Sequence, residues 1–133
     1  MSARRAELVV SEDVVRMRHM LRDEMVALRF TVIEQTKMIT AASELARNTL
    51  RYGGGGYAEL EVVERGGMRG IMVTFVDQGP GIGDIELAMT DGYTTGGGMG
   101  LGLPGARRLV DEFEINTAPG KGTRITVTKW KLF

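Results

Sequence analysis

Between residues 57 and 64 apolar and charged residues alternate, with Leu60 and Val62 pointing one way and Glu59 and Glu61 the other. A period of two is the pattern of a strand with one buried face. The run Arg65-Gly66-Gly67-Met68-Arg69-Gly70 reads as a loose hairpin turn, and 71–76 as a near-continuous apolar strand ending at Asp77. A final strand pair, 114–118 and 123–130, turns at Pro119-Gly120-Lys121-Gly122. The first half is patterned for helices. After a short edge strand at 7–10, Ser11 is placed as an N-cap, with Glu12 and Asp13 at the positive end of a helix dipole. That helix is expected to reach about Leu28. Thr31-Val32-Ile33-Glu34 is a capping-box pattern that opens a second helix, running to about Tyr52 and stopping at Gly53 to Gly56. Residues 84–91 suit a short helix and 101–111 a further one, while 94–98 is too rich in glycine for a regular element. Strands joined by hairpins imply a mixed, mostly antiparallel sheet, and the helices must cover one face of it. The expected fold class is α+β, a two-layer sandwich.

Composition sharpens this picture at one point. Nineteen of the 133 residues are glycine, about twice the usual ~7% share. They cluster at 53–56, 66–70, 79–83, 92–105 and 120–122, where backbone must turn sharply or approach something closely. The length suits one domain, 1–133, with one core. Basic and acidic residues both number 17, and there is no Lys/Arg cluster to attract nucleic acid. With no cysteine, no apolar run of ~20 residues and no signal peptide, the expectation is a cytoplasmic protein with no nucleic-acid or membrane partner.

Three short stretches carry candidate chemistry. In Glu44-Leu45-Ala46-Arg47-Asn48, Glu44 and Asn48 are one helical turn apart and share a face. A carboxylate there can take a proton from an attacking hydroxyl or water. An amide oxygen beside it is a hard, neutral ligand for magnesium, which keeps substrate phosphates in its shell. An exposed polar helix face would carry the same residues. In Asp77-Gln78-Gly79-Pro80-Gly81-Ile82, the ionised carboxylate is acceptor-only and suits the exocyclic amine of adenine. Gly79 and Gly81 have no Cβ and would let a flat base lie against the backbone, although a plain turn after a strand is written the same way. In 96–103, five of the seven residues Gly96 to Gly102 are glycine. Their backbone N–H groups lead into a helix N-terminus, an anion site by geometry and dipole. Thr94 and Thr95 can cap or hinge that run, and a disordered loop is the alternative. In this order the stretches supply a base, a magnesium ligand, an adenine acceptor and a phosphate lid, and the lid is expected to be mobile without nucleotide.

Two competing motifs fail. Gly100-Leu101-Gly102-Leu103-Pro104-Gly105 matches G-x-G-x-x-G, but a glycine-rich loop precedes it instead of a strand, and only 28 residues follow. Gly120-Lys121-Gly122-Thr123 interrupts a Walker A ending with a glycine.

These residues resemble the GHKL family of ATP-binding domains, which includes gyrase, Hsp90, histidine kinases and MutL. Glu44 to Asn48 is similar to the family's N box, 77–82 to its D-x-G-x-G box, 98–103 to its second glycine box, and Gly122-Thr123 to its late Gly-Thr. Small size points within the family to anti-sigma-factor-like serine kinases. Ser43 to Asn48, 77–82, Gly102-Leu103-Pro104-Gly105, Phe113 and Lys129-Trp130 resemble stressosome switch kinases. The resemblance implies the Bergerat fold, with ATP and Mg2+ as cofactors. It implies Glu44 as general base, Asn48 as magnesium ligand and nucleotide contact, and Asp77 and Thr123 as holders of adenine. Gly79, Gly81, Ile82, Thr94, Thr95, Gly98, Gly100, Leu101 and Gly102 would form the nucleotide pocket and lid. The implied reaction is phosphorylation of serine or threonine on STAS-domain partners, an RsbS-like antagonist and an RsbR-like scaffold. The released kinase would then activate an RsbU-like PP2C-type phosphatase.

Two other functions fit parts of the pattern. One is an anti-sigma factor that sequesters a sigma factor and phosphorylates its STAS antagonist. The other is a stripped ATPase working by lid closure. Arg47, inside the first box, is either a surface arginine or a contact to phosphate or partner. His19 reads as a surface histidine of the first helix, set against the autophosphorylated histidine of the family's sensor kinases, and Arg16, Arg18, Arg22 and Asp23 read as a solvated face with partner contact as the alternative.

Overall fold

The computed structural model describes residues 3–82, 89 and 102–131. Its elements are β1 (Arg4–Leu8), α1 (Glu12–Ala27), α2 (Val32–Arg51), β2 (Gly56–Arg65), β3 (Met68–Asp77), α3 (Leu103–Leu109), β4 (Glu112–Thr117) and β5 (Thr123–Trp130). The strands form a five-stranded sheet in the order β1-β2-β3-β5-β4. All four described pairings are antiparallel. The α+β sandwich expected from the pattern is the fold observed. The short helix expected at 84–91 falls almost wholly outside the described residues.

The alternation read in β2 sorts its side chains as expected. Ala58 and Leu60 are buried among Val73 and Phe75 of β3 and Ile125 and Val127 of β5, and this face meets Met17, Leu21 and Met25 of α1 and Met38 and Leu45 of α2. The β2–β3 connection is tighter than expected. Gly66 and Gly67 have φ of 57° and 84°, the two consecutive left-handed residues of a two-residue hairpin turn whose twist matches the strands. Met68, Arg69 and Gly70 are therefore ladder residues, with Met68 opposite Arg65 and Gly70 opposite Val63. On its other side Gly70 faces Trp130, where a β-carbon would fall 2.7 Å from the indole.

The two long helices begin differently. At α2 the capping box is complete: Glu34 N–H donates to Thr31 Oγ1 at 3.1 Å, and Thr31 N–H donates to Glu34 Oε1 at 2.7 Å. At α1 the expected Ser11 cap is absent. Ser11 has helical backbone angles and makes no side-chain cap, and its hydroxyl donates to Glu12 Oε1 at 3.0 Å. Asp13 ties the entry turn instead, accepting the N–H groups of Val9 and Val10 at 2.8 and 2.9 Å and pairing with Arg16. These bonds to its charged form hold the Asp13 carboxyl down at about 2. At the other end of α1 the chain turns through Arg29, at φ 65°.

Helix α2 positions the candidate site. One side is buried through Met38, Ile39, Ala41, Ala42, Leu45, Ala46 and Thr49, and the alanines let neighbouring elements approach closely. Leu103 and Ala106 of α3 are buried against the same core. Helix α3 is shorter than its expected 101–111, because β4 already begins at Glu112. No helix among the described residues is long and apolar enough to cross a membrane.

Candidate functional site

Burial of the alanine side of α2 turns the 44, 47 and 48 positions outward. Glu44 and Asn48 are half-buried, and Arg47 is exposed. Arg47 Nη1 lies 3.2 Å from Glu44 Oε2. Gly102, at the N-cap of α3 with φ 70°, packs directly on the Glu44 carboxylate, and a β-carbon there would fall 2.5 Å from Glu44 Cγ. Glu44, Arg47 and Gly102 line an open depression of about 570 Å³ together with Arg18, Ser43 and Arg108. A second depression of about 530 Å³ adjoins it, sharing Arg18 and Arg47, with Val9, Val10, Val14, Val15, Leu50 and Arg51 among its other lining residues. His19 is exposed on α1, as expected of a solvated face.

The second cluster surrounds the end of β3. Asp77 Oδ1 accepts the N–H of Gly79 at 2.8 Å. Burial raises the Asp77 pKa above its ordinary 3.8, and the backbone N–H groups of Gly79 and Thr123 pull it back in part. Thr123 therefore meets Asp77 through its backbone. Its hydroxyl is 3.0 Å from Thr117 Oγ1.

Thr117 is a site residue that the sequence reading missed. Its Oγ1 accepts the N–H of Ile82 at 2.9 Å and lies 2.9 Å from the carbonyl oxygen of Gly122. Gly120 N–H adds a 2.6 Å bond to the Pro80 carbonyl. The loop after β3 is thus fastened to the β4–β5 turn. The available signal was the pair of threonines at 117 and 123 flanking that turn.

The glycines of this loop are also required by packing. A β-carbon at Gly81 would strike the Ala118 carbonyl oxygen, and one at Gly79 would fall 2.6 Å from Gly53 Cα. The room left by their missing side chains is filled by neighbouring backbone. Gly122, at φ 74°, is likewise pressed on the Asp77 carbonyl.

Asn48 connects the two clusters. Its carbonyl accepts the N–H groups of Tyr52 and Gly53 at 2.9 and 3.1 Å, and Gly53 abuts Asp77. Glu44, Asn48, Asp77, Gly79, Gly81, Ile82, Gly102 and Thr123 are thus arranged around one end of the sheet and the outward side of α2. Thr94, Thr95, Gly98, Gly100 and Leu101 lie outside the described residues. Among the described residues there is no group of three His, Cys, Asp or Glu that would hold a metal ion.

The candidate site thus brings together a half-exposed carboxylate on a helix, Glu44, a partly desolvated aspartate closing a strand, Asp77, and a glycine at the N-cap of α3, Gly102. The chain belongs to the family described as histidine kinase-, DNA gyrase B-, and HSP90-like ATPases, which matches residues 33–132. It is 45% identical over 118 residues to the serine/threonine-protein kinase RsbT of Bacillus subtilis (strain 168), covering 89% of each chain. It is 38% identical over 63 residues to an anti-sigma F factor of Thermoanaerobacter sp. (strain X514), covering 45% of this chain and 44% of that protein. Among solved structures, the RsbU and RsbW domains of Rv1364c from Mycobacterium tuberculosis superpose with a TM-score of 0.64 at 18% identity, over 97% of this chain and 32% of that one. The catalytic domain of the histidine kinase ThkA superposes with a TM-score of 0.55 at 16% identity, over 98% and 97%. At these identities the structures speak for the fold alone. Family and sequence similarity together make the chain an ATP-binding protein kinase of the serine/threonine class, of the partner-switching kind.

Proposed function

We propose that this kinase transfers the γ-phosphoryl group of ATP to a serine or threonine of a STAS-domain protein, an RsbS-like antagonist or an RsbR-like scaffold. Released from that partner, it would activate a PP2C-type phosphatase of the RsbU kind. The observation that carries the reading is the position of Glu44. It is half-exposed in an open depression, where a hydroxyl on another protein can reach it.

In the proposed reaction the acceptor oxygen bonds to the γ-phosphorus while the bond from that phosphorus to the bridging oxygen of ADP breaks. Glu44 accepts the hydroxyl proton. Arg47 orients the Glu44 carboxylate through their ion pair. Asp77 holds the adenine amine, and Thr123 and Thr117 fix the end of β3 and the loop that follows Asp77. Gly79, Gly81, Ile82 and Gly102 shape the walls, and Thr94, Thr95, Gly98, Gly100 and Leu101 complete the pocket in this reading. Magnesium, bound with the triphosphate, would neutralise developing charge on the phosphates. Asn48, half-buried one helical turn after Glu44, would hold it as a neutral oxygen ligand.

The test is transfer of labelled γ-phosphate from Mg-ATP to a purified STAS-domain antagonist, with Glu44→Gln alongside. Transfer by the wild type and its loss in the variant are expected. Undiminished transfer by Glu44→Gln would remove Glu44 from the role of base. The similarity to anti-sigma F factors supports a second reading, in which the chain sequesters a sigma factor. It spans less than half of those proteins, and co-purification of a sigma factor with this chain would favour it.

A further inference from the structure

We infer that Gly53, at the exit of α2, is a positioning residue for base recognition. It sets the orientation of the Asp77 carboxylate and thereby the preference for adenine. The inference rests on the reading of Asp77 as the acceptor of the adenine amine.

Glycine is required at 53 by space. Eight of the described glycines have positive φ, and Gly53 is not among them, so an alanine there meets no left-handed backbone strain. It would meet Asp77. An ideal β-carbon falls 2.5 Å from Asp77 Cβ and 2.6 Å from Oδ2, and closer still to Cγ. The carboxylate is therefore held from several sides: Gly79 N–H holds Oδ1 at 2.8 Å, Thr123 N–H is a second backbone donor, and the bare Cα of Gly53 leaves just enough room for Oδ2. The side chain at 77 cannot evade a new methyl group without turning about its own bonds, which draws Oδ1 away from Gly79. Gly53 itself cannot retreat. Its N–H is bonded to the Asn48 carbonyl at 3.1 Å, and Gly79 stands against its other side.

Recognition of a purine amine by one carboxylate depends on the direction in which the acceptor lone pairs point. A rotated Asp77 still carries its charge but no longer meets the amine. Gly53 thus acts on the base half of the nucleotide and leaves the phosphate half untouched.

The experiment compares the binding of Mg-ATP and of purine riboside triphosphate with magnesium, which lacks only the exocyclic amine, to wild type, Gly53→Ala and Gly54→Ala. A buried group deprived of its partner weakens binding strongly, so the wild type should prefer ATP by about tenfold or more. Gly53→Ala should lose that preference, with ATP affinity falling to the level of the analogue and analogue affinity unchanged. Gly54, whose β-carbon would meet nothing within 4 Å but whose φ of 74° strains an alanine, controls for backbone strain in the same turn and should keep the preference.

Equal weakening of both nucleotides by Gly53→Ala would make its role merely structural and overturn the proposal. So would an unchanged preference. If the wild type itself binds both nucleotides equally, the reading of Asp77 fails and the role of Gly53 falls with it. Should Gly53→Ala not fold, the double variant Gly53→Ala/Asp77→Gly, which removes the colliding side chain, should fold and bind both nucleotides equally. Its failure to fold would show that the crowding at 53 lies elsewhere and would also overturn the proposal.

Discussion

Gly102 and Glu44 are in direct contact: the N-cap glycine of α3 rests on the carboxylate of α2, with no room for a β-carbon between them. The contact sets the distance between the start of α3 and the proposed base. Gly102→Ala places a methyl group there and also forces a non-glycine residue to φ 70°, at a cost of roughly 1–2 kcal/mol. Displacing a reacting group by about 1 Å costs on the order of 100-fold in rate, so phosphotransfer should fall by about that factor. Single-turnover transfer at saturating ATP measures it, and a loss under twofold would mean that Glu44 is not the group being positioned.

Asp77 makes nucleotide binding sensitive to pH in a defined direction. Its pKa is raised by burial above 3.8, and its proposed role needs the ionised form. Affinity for Mg-ATP should therefore begin to fall, as pH is lowered from neutral, sooner than an ordinary aspartate would cause. Stability of the unliganded protein should move the other way. Between 3.8 and the raised pKa the folded state binds more protons than the unfolded, so stability rises as pH falls through that window. Titration calorimetry and thermal melts on wild type and Asp77→Asn check both signs, and the variant should lose both dependences.

Asp13 has the opposite sign. Its folded pKa of about 2 lies below the unfolded 3.8. Its stabilising contribution is complete above 3.8 and is lost as pH falls from there to about 2. Asp13→Ala should melt several degrees below wild type at neutral pH, and the gap should close across that window. A gap that persists in acid would point to packing rather than to the bonds with Val9, Val10 and Arg16.

Arg29 is the one described non-glycine residue with positive φ, at the turn that ends α1. Arg29→Gly removes that strain where helices commonly end in glycine. It should raise stability by about 1 kcal/mol, measurable as a higher denaturation midpoint at unchanged slope. A lower midpoint would show that the arginine side chain contributes more than its backbone conformation costs.

Where a feature is local, the sequence made it legible. The capping box from Thr31 to Glu34 needs only four residues, and it forms as read. Alternation from 57 to 64 fixes which side of β2 is buried, because the period of two admits no other choice. Reading failed where two distant segments must be brought together first. Ser11 has the chemistry of a cap, but Asp13 wins because its carboxylate also receives two N–H groups from the chain leaving β1. At Gly79 and Gly81 the missed part is packing: pairing of β2 with β3 and of β4 with β5 brings Gly53 and Ala118 against them. Thr117 carries no motif at all. Its place between Ile82, Gly122 and Thr123 exists only once the β4–β5 hairpin has closed.

Helix α2 runs without a break from Val32 to Arg51, so Glu44 and the Gly53 exit are carried on one rigid rod. Each added residue in a helix advances it by 1.5 Å and rotates it by about 100°. A single insertion or deletion between the two would leave each cluster intact and turn one away from the other. The spacing from 44 to 53 is thus a gauge that no change of a single residue can reset without parting the two clusters.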